Sequence, residues 1–596
     1  MNATSSTTDF RQQREQQIKQ AEELLASVPQ HLGIGKGLFW GKFVADWIFP
    51  YPRLSDAEQA QTEQSLSELK KFCDEHLDPE RIDREADIPR EVIDGLARLG
   101  VLGMTAPAEV GGRGFSQMAY CRVLEEIGGR CSATSIFVNA HHSIGIRALL
   151  LFGTDEQKRR WLPELVSAQK LAAFALTEPE AGSDASNVQT SATPTSDGDF
   201  VLNGEKRYIT NGAIADVLTV MARTPNAGRS GTSVTAFLVT PDMPGFKVVE
   251  ARMPKVGIRG TATARLAFEN MRVPAANILG PLGKGLKVAL TVLDFGRTTF
   301  GACCTGAAKT CLRLATEHAR TRRQFGRTLG EFELVQKKLA RMAAWTYAME
   351  AMTTITASLI DRGLEDYMLE TAMLKVYSTE VLWTMVNDAF QIHGGAAYFT
   401  DRPLERMLRD ARINQIGEGA NEVLTSFIAL TGLRGPGLRL KSVADAAKRP
   451  WSGLGIIGRF VSDQVAYRLQ SPAVSVRSPL LRPAADELSR RIHRLGLAAQ
   501  RTLFRHREEV LERQLDQERL AWTAMELFAS ACVLSRIDSE MTDLRLPSDE
   551  LDRRVQTAIY FLSMSARRID DELMGLKNND DAQLRRVASG GRQSSE

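Results

Sequence analysis

Val217-Leu-Thr-Val-Met-Ala-Arg223 decides how this chain folds, because the hydrophobic period changes there. The run is short, rich in β-branched residues and predicts a strand. Two more runs of the same kind follow, Ser233–Thr240 and Thr263–Val273, each bounded by Gly, Asn or Pro. On either side the spacing is helical. Upstream, Ile93, Leu96 and Leu99 share one face and Gly100 supplies a stop, and a second helix spans Met118 to Ile127. Downstream, Leu334, Leu339, Met342 and Trp345 lie on long helical stretches. Helices, then strands, then helices predict an α+β chain of segregated domains rather than a βαβ layout.

Working outward, the expected organisation is a leader over 1-55, an N-terminal α-helical domain over 56-170 and a middle antiparallel β domain over 171-285. An α-helical bundle, of four helices, follows over 286-435. An additional α-helical C-terminal domain covers 436-580, where Leu488, Ile492, Leu495 and Ala499 mark one buried face, and 581-596 is a disordered tail.

Composition narrows the function. The 596 residues are 43% hydrophobic and 25% charged, with a net charge of +3, all ordinary globular values. No basic stripe with interleaved aromatics argues for nucleic acid. Seven cysteines, Cys73, Cys121, Cys131, Cys303, Cys304, Cys311 and Cys532, are sparse, odd in number and without a CxxC, which suits free thiols and no metal site. Residues 1–25 are polar and carry acids, so neither a secretory signal nor a transit peptide is expected there. No run of apolar residues has spanning length, so the expectation is a soluble or peripheral protein.

A GxGxxG match at Gly453-Leu-Gly455-Ile-Ile-Gly458 lacks a preceding strand and is rejected as a dinucleotide fingerprint. The surrounding Trp451, Leu454, Ile456, Ile457 and Phe460, rimmed by Lys448, Arg449 and Arg459, read either as an anionic-membrane contact or as a helix packed on another. More informative is Phe174-Ala-Leu176-Thr177-Glu-Pro-Glu-Ala-Gly182-Ser183-Asp184, a strand that ends in hydroxyls and turn residues. Such an end offers backbone N–H groups to a polar ring edge and a diphosphate. Tyr208-Ile209-Thr210-Asn211-Gly212 repeats the pattern. Gln415-Ile-Gly-Glu418-Gly419-Ala420-Asn421-Glu422 then sets a carboxylate between two glycines at the mouth of an apolar helix. Two readings of Glu418 stay open on local grounds: a helix cap, or a catalytic group beside a close-fitting ligand.

These segments resemble the acyl-CoA dehydrogenase flavoproteins. Arg322-Arg-Gln-Phe325-Gly326 resembles that family's contact to the cofactor of a neighbouring subunit, and Gln391-Ile-His-Gly394-Gly395 the turn that receives its diphosphate. Arg409-Asp410-Ala-Arg-Ile leads into the Glu418 segment in the expected order. Phe49-Pro-Tyr-Pro52, Ala140-His-His-Ser-Ile-Gly145 with Leu151-Phe-Gly-Thr154, and Gln336–Met342, together with the helical extension, resemble the very-long-chain branch.

The resemblance implies FAD, a long-chain acyl-CoA substrate and Glu418 as the base that takes the α-proton while the β-hydride leaves for the flavin. It implies cofactor contacts at Phe174, Leu176, Thr177, Gly182, Ser183, Tyr208, Ile209, Thr210, Arg322, Phe325, Gln391, Gly394, Gly395, Ala420 and Asn421. Substrate contacts fall on Ser183, Asp294, Arg297 and Gly419. It further implies a homodimer, electron transfer to electron-transferring flavoprotein, and a cytoplasmic site at the inner face of a membrane, mitochondrial matrix in a eukaryote. It places the pocket floor that would set acyl-chain length on a helix holding Ala133, Ser135, Phe137 and Asn139, where small Ala133 and Ser135 suggest depth and Phe137 and Asn139 a block. Ala420 stands where the family has Thr, so a cofactor bond is lost or supplied by Asn421; Tyr208 replaces Trp, and Glu333 a common Gln. Two alternatives remain: an oxygen-using acyl-CoA oxidase, and an assembly factor for a respiratory complex.

Overall fold

The computed structural model describes residues 32–226, 231–448, 470–543 and 546–590, with 455, 458–460 and 462 between them. The Trp451, Leu454, Ile456 and Ile457 segment lies outside the described residues, as do 1–31 of the leader. Residues 56–303 form one compact unit; 32–55 join 304 onward in a second.

In the first unit, helices precede a sheet. Helix Arg90–Arg98 buries Ile93 and Leu96 and ends as expected, with Gly100 at φ 70. Helix Gln117–Arg130 starts at Ser116, whose hydroxyl accepts from Ala119 N at 3.1 Å. Helix Ser132–Val138 passes into a π-helical stretch, Asn139–Ile146, which carries the buried His141 and His142. His141 is spent on structure. Its Nδ1 accepts from Ala172 N at 3.0 Å and its Nε2 pairs with Leu165 O at 3.1 Å, fixing where the first strand begins.

The strands are β1 (Ala172–Ala175), β2 (Ser191–Pro194), β3 (Phe200–Thr210), β4 (Val217–Pro225), β5 (Thr232–Val239), β6 (Phe246–Glu250), β7 (Thr263–Val273) and β8 (Ile278–Leu279). Their order is β6-β7-β3-β2-β4-β5-β8, and β1 pairs with β4. The three runs read from sequence are β4, β5 and β7. Neighbours are antiparallel except that β1 and β2 meet β4 in parallel, which the intervening strands give the chain length to do. Successive β4 residues alternate between two cores: Val217 and Met221 with Trp161, Leu162 and Leu165, and Leu218, Val220 and Ala222 with Phe237, Leu266 and Phe268. Burial on both faces explains why β4 reads as a continuous apolar run.

The second unit is helical. Helices Glu333–Asp361, Met368–His393 and Asn421–Ala447 pack with the extension helices Arg482–His506, Gln514–Glu540 and Ser548–Gly575. Gln514–Glu540 is the axis of this unit: 94% of its apolar window is buried, and it touches helices on both sides of the expected domain boundary. A charge cluster around the buried Arg536 binds it there. Arg536 pairs with Glu350 at 2.7 Å and Glu540 at 2.9 Å, and Glu350 with Lys309 at 2.6 Å.

Three sequence expectations change. The boundary at 435/436 falls inside helix Asn421–Ala447, which continues through Pro436. The glycines there serve close packing rather than a stop: a Cβ at Gly432 would lie 2.2 Å from the Phe39 ring, and one at Gly435 would lie 2.9 Å from Trp40 Nε1. The leader's described part is not separate, since Gly35 N donates to Glu370 Oε1 at 2.7 Å, Lys36 pairs with Asp366, and Tyr51 N donates to Ser539 Oγ at 3.2 Å. The tail is helical over Asp581–Gly590, because Arg519 grips the Asp581 carboxylate through two bonds of 2.9 and 2.6 Å; 591–596 lie outside the described residues.

Candidate active site

In the first unit the site begins where β1 ends. Phe174, Leu176 and Thr177 are half-buried, and Gly182 and Ser183 are exposed. The loop between them is held by groups that sequence reading did not single out. Glu178 is buried and accepts from Thr190 N at 3.0 Å, from Gln189 N, and from Lys206 Nζ at 2.7 Å. Lys206 has no exposed surface, and its ammonium also donates to Leu176 O at 3.0 Å. Burial pulls Lys206 down to about 8. Burial pushes the Glu178 carboxyl up, but the ammonium and the amide donors outweigh it and hold the carboxyl below its usual value. Arg207 N closes the arrangement by donating to Thr177 O at 2.9 Å.

A bulge then sorts the side chains of β3. The β3–β7 register shifts between Lys206 and Ile209, and Tyr208 sits at φ 63. Lys206 and Ile209 therefore both face inward, while Tyr208 is 57% exposed with Arg207 stacked 4.9 Å from its ring. Ile209 departs from expectation. Its side chain is 2% exposed in the β core, so a cofactor would meet only its backbone. Half-buried Thr210 follows, then Asn211, whose Nδ2 donates to Phe137 O at 3.3 Å. Asp294 and Arg297 lie one helical turn apart on Gly285–Thr321 and pair at 3.0 Å; at 2% and 6% exposure this is a buried pair, not a surface one.

In the second unit, Glu418 is half-buried at φ 56 and Gly419 at φ 101. A positive φ is uncommon for Glu and marks a backbone held by its surroundings. The N-cap of the following helix is Ala420, two residues beyond Glu418, and it makes no side-chain cap bond. The cap position therefore belongs to another residue, and the local argument for Glu418 as a cap loses its footing. Lys375, fully buried on helix Met368–His393, donates to Gly419 O at 2.7 Å and to Asn421 Oδ1 at 2.8 Å. Asn421 Nδ2 donates to Thr379 Oγ1 at 2.9 Å and Glu380 Oε1 at 2.7 Å, and Gln415 Nε2 reaches Glu380 Oε2 at 2.8 Å. The loop is thus tied before and after Glu418. Asn421 is spent inside this network, so it does not replace the bond that Thr would make at 420.

The remaining expected residues face solvent. Arg322 precedes a tight hairpin, Arg323–Gln324 against Arg327–Thr328, with Phe325 at its tip at φ 53 and 92% exposed. Gln391, Gly394 and Gly395 are exposed at the end of Met368–His393, where Gly394 takes φ 61. His393, between them, stacks on His318 at 4.2 Å. Glu333 is exposed at the start of its helix.

Family models match in the same order along the chain. The acyl-CoA dehydrogenase N-terminal domain matches 59–169, the middle domain 173–271 and the C-terminal domain 283–433. The ACAD9/ACADV C-terminal domain matches 479–591. The very long-chain specific acyl-CoA dehydrogenase, mitochondrial, of Homo sapiens is 35% identical over 519 residues, covering 85% of this chain and 79% of its own. An acyl-CoA dehydrogenase from Bacillus anthracis, complexed with FAD, superposes with a TM-score of 0.78 at 27% identity, over 95% of this chain and 96% of that one. Butyryl-CoA dehydrogenase from Megasphaera elsdenii is 35% identical with a TM-score of 0.59 and is covered to 97%, yet spans 63% of this chain. The chain belongs to the acyl-CoA dehydrogenase family and is an oxidoreductase of the kind that carries an additional C-terminal helical domain.

Proposed function

We propose that the protein is an FAD-dependent dehydrogenase that converts long-chain acyl-CoA thioesters to trans-2-enoyl-CoA. The observation that carries this reading is the Glu418 loop: a carboxylate at a strained φ, flanked by Gly419 and fixed on both sides by a buried network. Glu418 is the base that removes the α-proton, and its own backbone N–H helps polarise the thioester carbonyl, which acidifies that proton. Gly419, at φ 101, allows the turn that presents the carboxylate, and a Cβ there would press on the Leu424 side chain at 3.2 Å. The β-hydride needs an acceptor, which bound FAD supplies.

The first unit fits such a group. Exposed Tyr208 offers an aromatic face, half-buried Phe174, Leu176, Thr177 and Thr210 offer apolar contact and hydroxyls, and exposed Gly182 and Ser183 leave N–H groups open. Exposed Arg322, Phe325, Gln391, Gly394 and Gly395 suit the cofactor of a second copy, which makes the enzyme a homodimer. Asp294 and Arg297 act on coenzyme A as a buried pair, with Arg297 oriented by its partner. The preference for long chains rests on the very-long-chain relatives, and electron-transferring flavoprotein as acceptor is what the family resemblance implies.

The test is an anaerobic titration of the yellow holoenzyme with acyl-CoAs of increasing chain length, watching flavin absorbance. Wild type bleaches most with long chains, and Glu418→Gln slows bleaching by about 10²–10⁴-fold while still binding ligand. A wild type that no acyl-CoA bleaches would overturn the reading. Rapid aerobic turnover to peroxide without another acceptor would move it to an oxidase.

A further inference from the structure

The C-terminal extension holds a cavity of about 220 Å³ that the dehydrogenase reading does not use. One wall is apolar, made by Leu497, Ala498, Leu573 and Leu576. Around it stand Arg494, Arg501, Arg505 and Lys577, with a single carboxylate, Asp516. That carboxylate is already engaged, by His506 Nε2 at 3.5 Å and by Arg519 Nη1 at 3.6 Å. Arg494 is likewise paired, with Asp570. Among the described residues Arg501, Arg505 and Lys577 have no ion-pair partner. His506 adds no further positive charge, because burial and then Arg513 push its pKa down.

Three exposed cations without ion-pair partners beside an apolar wall suit a ligand with both characters. The volume lies below the roughly 300–1,000 Å³ of sites that enclose a whole cofactor. It suits the end of a molecule, an anionic head and its first methylenes, rather than a nucleotide. The apolar wall is recessed between helices Arg482–His506 and Ser548–Gly575, and a recess takes a chain one at a time, as a flat face takes a bilayer. We propose that this cavity binds a free single-chain anionic amphiphile, a fatty carboxylate or alkyl phosphate, whose head is held by Arg501, Arg505 and Lys577 and whose first methylenes lie on Leu497, Leu573 and Leu576. The site stands independently of the role of Glu418.

The test uses holoenzyme with a slowly turned-over acyl-CoA analogue in excess, so that the thioester site is filled. Monomeric dodecyl phosphate is titrated by calorimetry, with inorganic phosphate and phosphatidylglycerol vesicles as parallel probes. Saturable binding of dodecyl phosphate is expected. It should weaken about tenfold or more in Arg501→Ala/Arg505→Ala, which loses charge-assisted bonds, and stay unchanged in Arg553→Ala/Arg567→Ala, which removes the same charge elsewhere on the extension. Inorganic phosphate should bind more weakly than dodecyl phosphate. Unchanged affinity in the first variant, an equal loss in the second, phosphate binding as tightly as dodecyl phosphate, or binding to vesicles alone would each overturn the proposal. Melting temperature and flavin content establish that both variants are folded.

Discussion

The Thr177 loop and the Glu418 loop are fastened by the same device in two forms. Each depends on a fully buried lysine whose ammonium grips a backbone carbonyl of the loop, Leu176 O for Lys206 and Gly419 O for Lys375. At the first loop the ammonium also meets a carboxylate directly, Glu178. At the second it meets the amide oxygen of Asn421, and the Glu380 carboxylate joins through that amide. The difference is chemical. In the first lock the charges form a pair of side chains, and Leu176 O and the N–H groups of Gln189 and Thr190 are held with them. In the second the ammonium meets a main-chain oxygen and an amide oxygen, both neutral.

The largest effect follows from splitting the first lock. Lys206→Met leaves the Glu178 carboxylate buried without its cation, which costs about 3–5 kcal/mol. Urea unfolding should show this as a lowered midpoint. Replacing both partners, Lys206→Met with Glu178→Leu, should recover part of the loss, because an apolar pair avoids the desolvation that the ions suffer, while Leu176 O and the Gln189 and Thr190 N–H groups lose these partners. A double variant as unstable as the single one would refute the view that the unpaired carboxylate dominates the loss.

A third buried charge sharpens the contrast, because it is a carboxylate held chiefly by a backbone N–H. Glu370, on the same helix as Lys375, accepts from Gly35 N at 2.7 Å, and burial raises its carboxyl from 4.5 to about 7. A folded-state pKa raised above the unfolded value means that the folded protein binds the extra proton. The associated stability is fully present below about 4.5 and is lost as pH rises through about 7. The loss is at most about 3 kcal/mol, at about 1.4 kcal/mol per unit. Glu370→Gln keeps the acceptor oxygen and removes the titration. The stability difference between variant and wild type, followed from pH 4.5 to 7, should therefore grow in the variant's favour; a constant difference would contradict it.

Sequence reading reached the elements whose signal is local. Three β-branched runs became strands, Gly100 stopped a helix, and the Glu418 segment stood out by its glycines. It missed what only tertiary packing decides. Lys206 looks like one of many polar strand residues although it shares the inward parity of Phe200 and Leu202, and the bulge that follows it takes Ile209 into the core. Lys375 did leave a trace, a lone charge amid Ala372, Met373, Leu374, Val376 and Tyr377, where an unpaired ammonium would be too costly to bury. Asn421 is the reverse case: its position suggested a ligand contact, but the buried lysine claims it. The expected boundary at 435/436 fell beside Gly432, Gly435 and Pro436, yet the glycines answer to Phe39 and Trp40, nearly 400 residues earlier.

The smallest change in stability is expected at Lys375, and there function should register more than folding. Lys375→Met strands Gly419 O, at about 1–3 kcal/mol for a buried acceptor left unsatisfied, while Asn421 Oδ1 keeps Thr379 Oγ1 at 3.4 Å. Its main consequence is positional. Glu418 keeps its positive φ only while Gly419 is held, and a misplacement of about 1 Å can cost about 10²-fold in rate. The variant should therefore bind flavin and acyl-CoA as wild type does, with KM little changed and kcat sharply reduced. Because Gly419 O is a main-chain atom, no second substitution can remove the stranded partner, and Lys375→Met/Asn421→Leu should not restore kcat. Full recovery in that double variant would show that the network acts through Asn421 alone and that the hold on Gly419 O does not position Glu418.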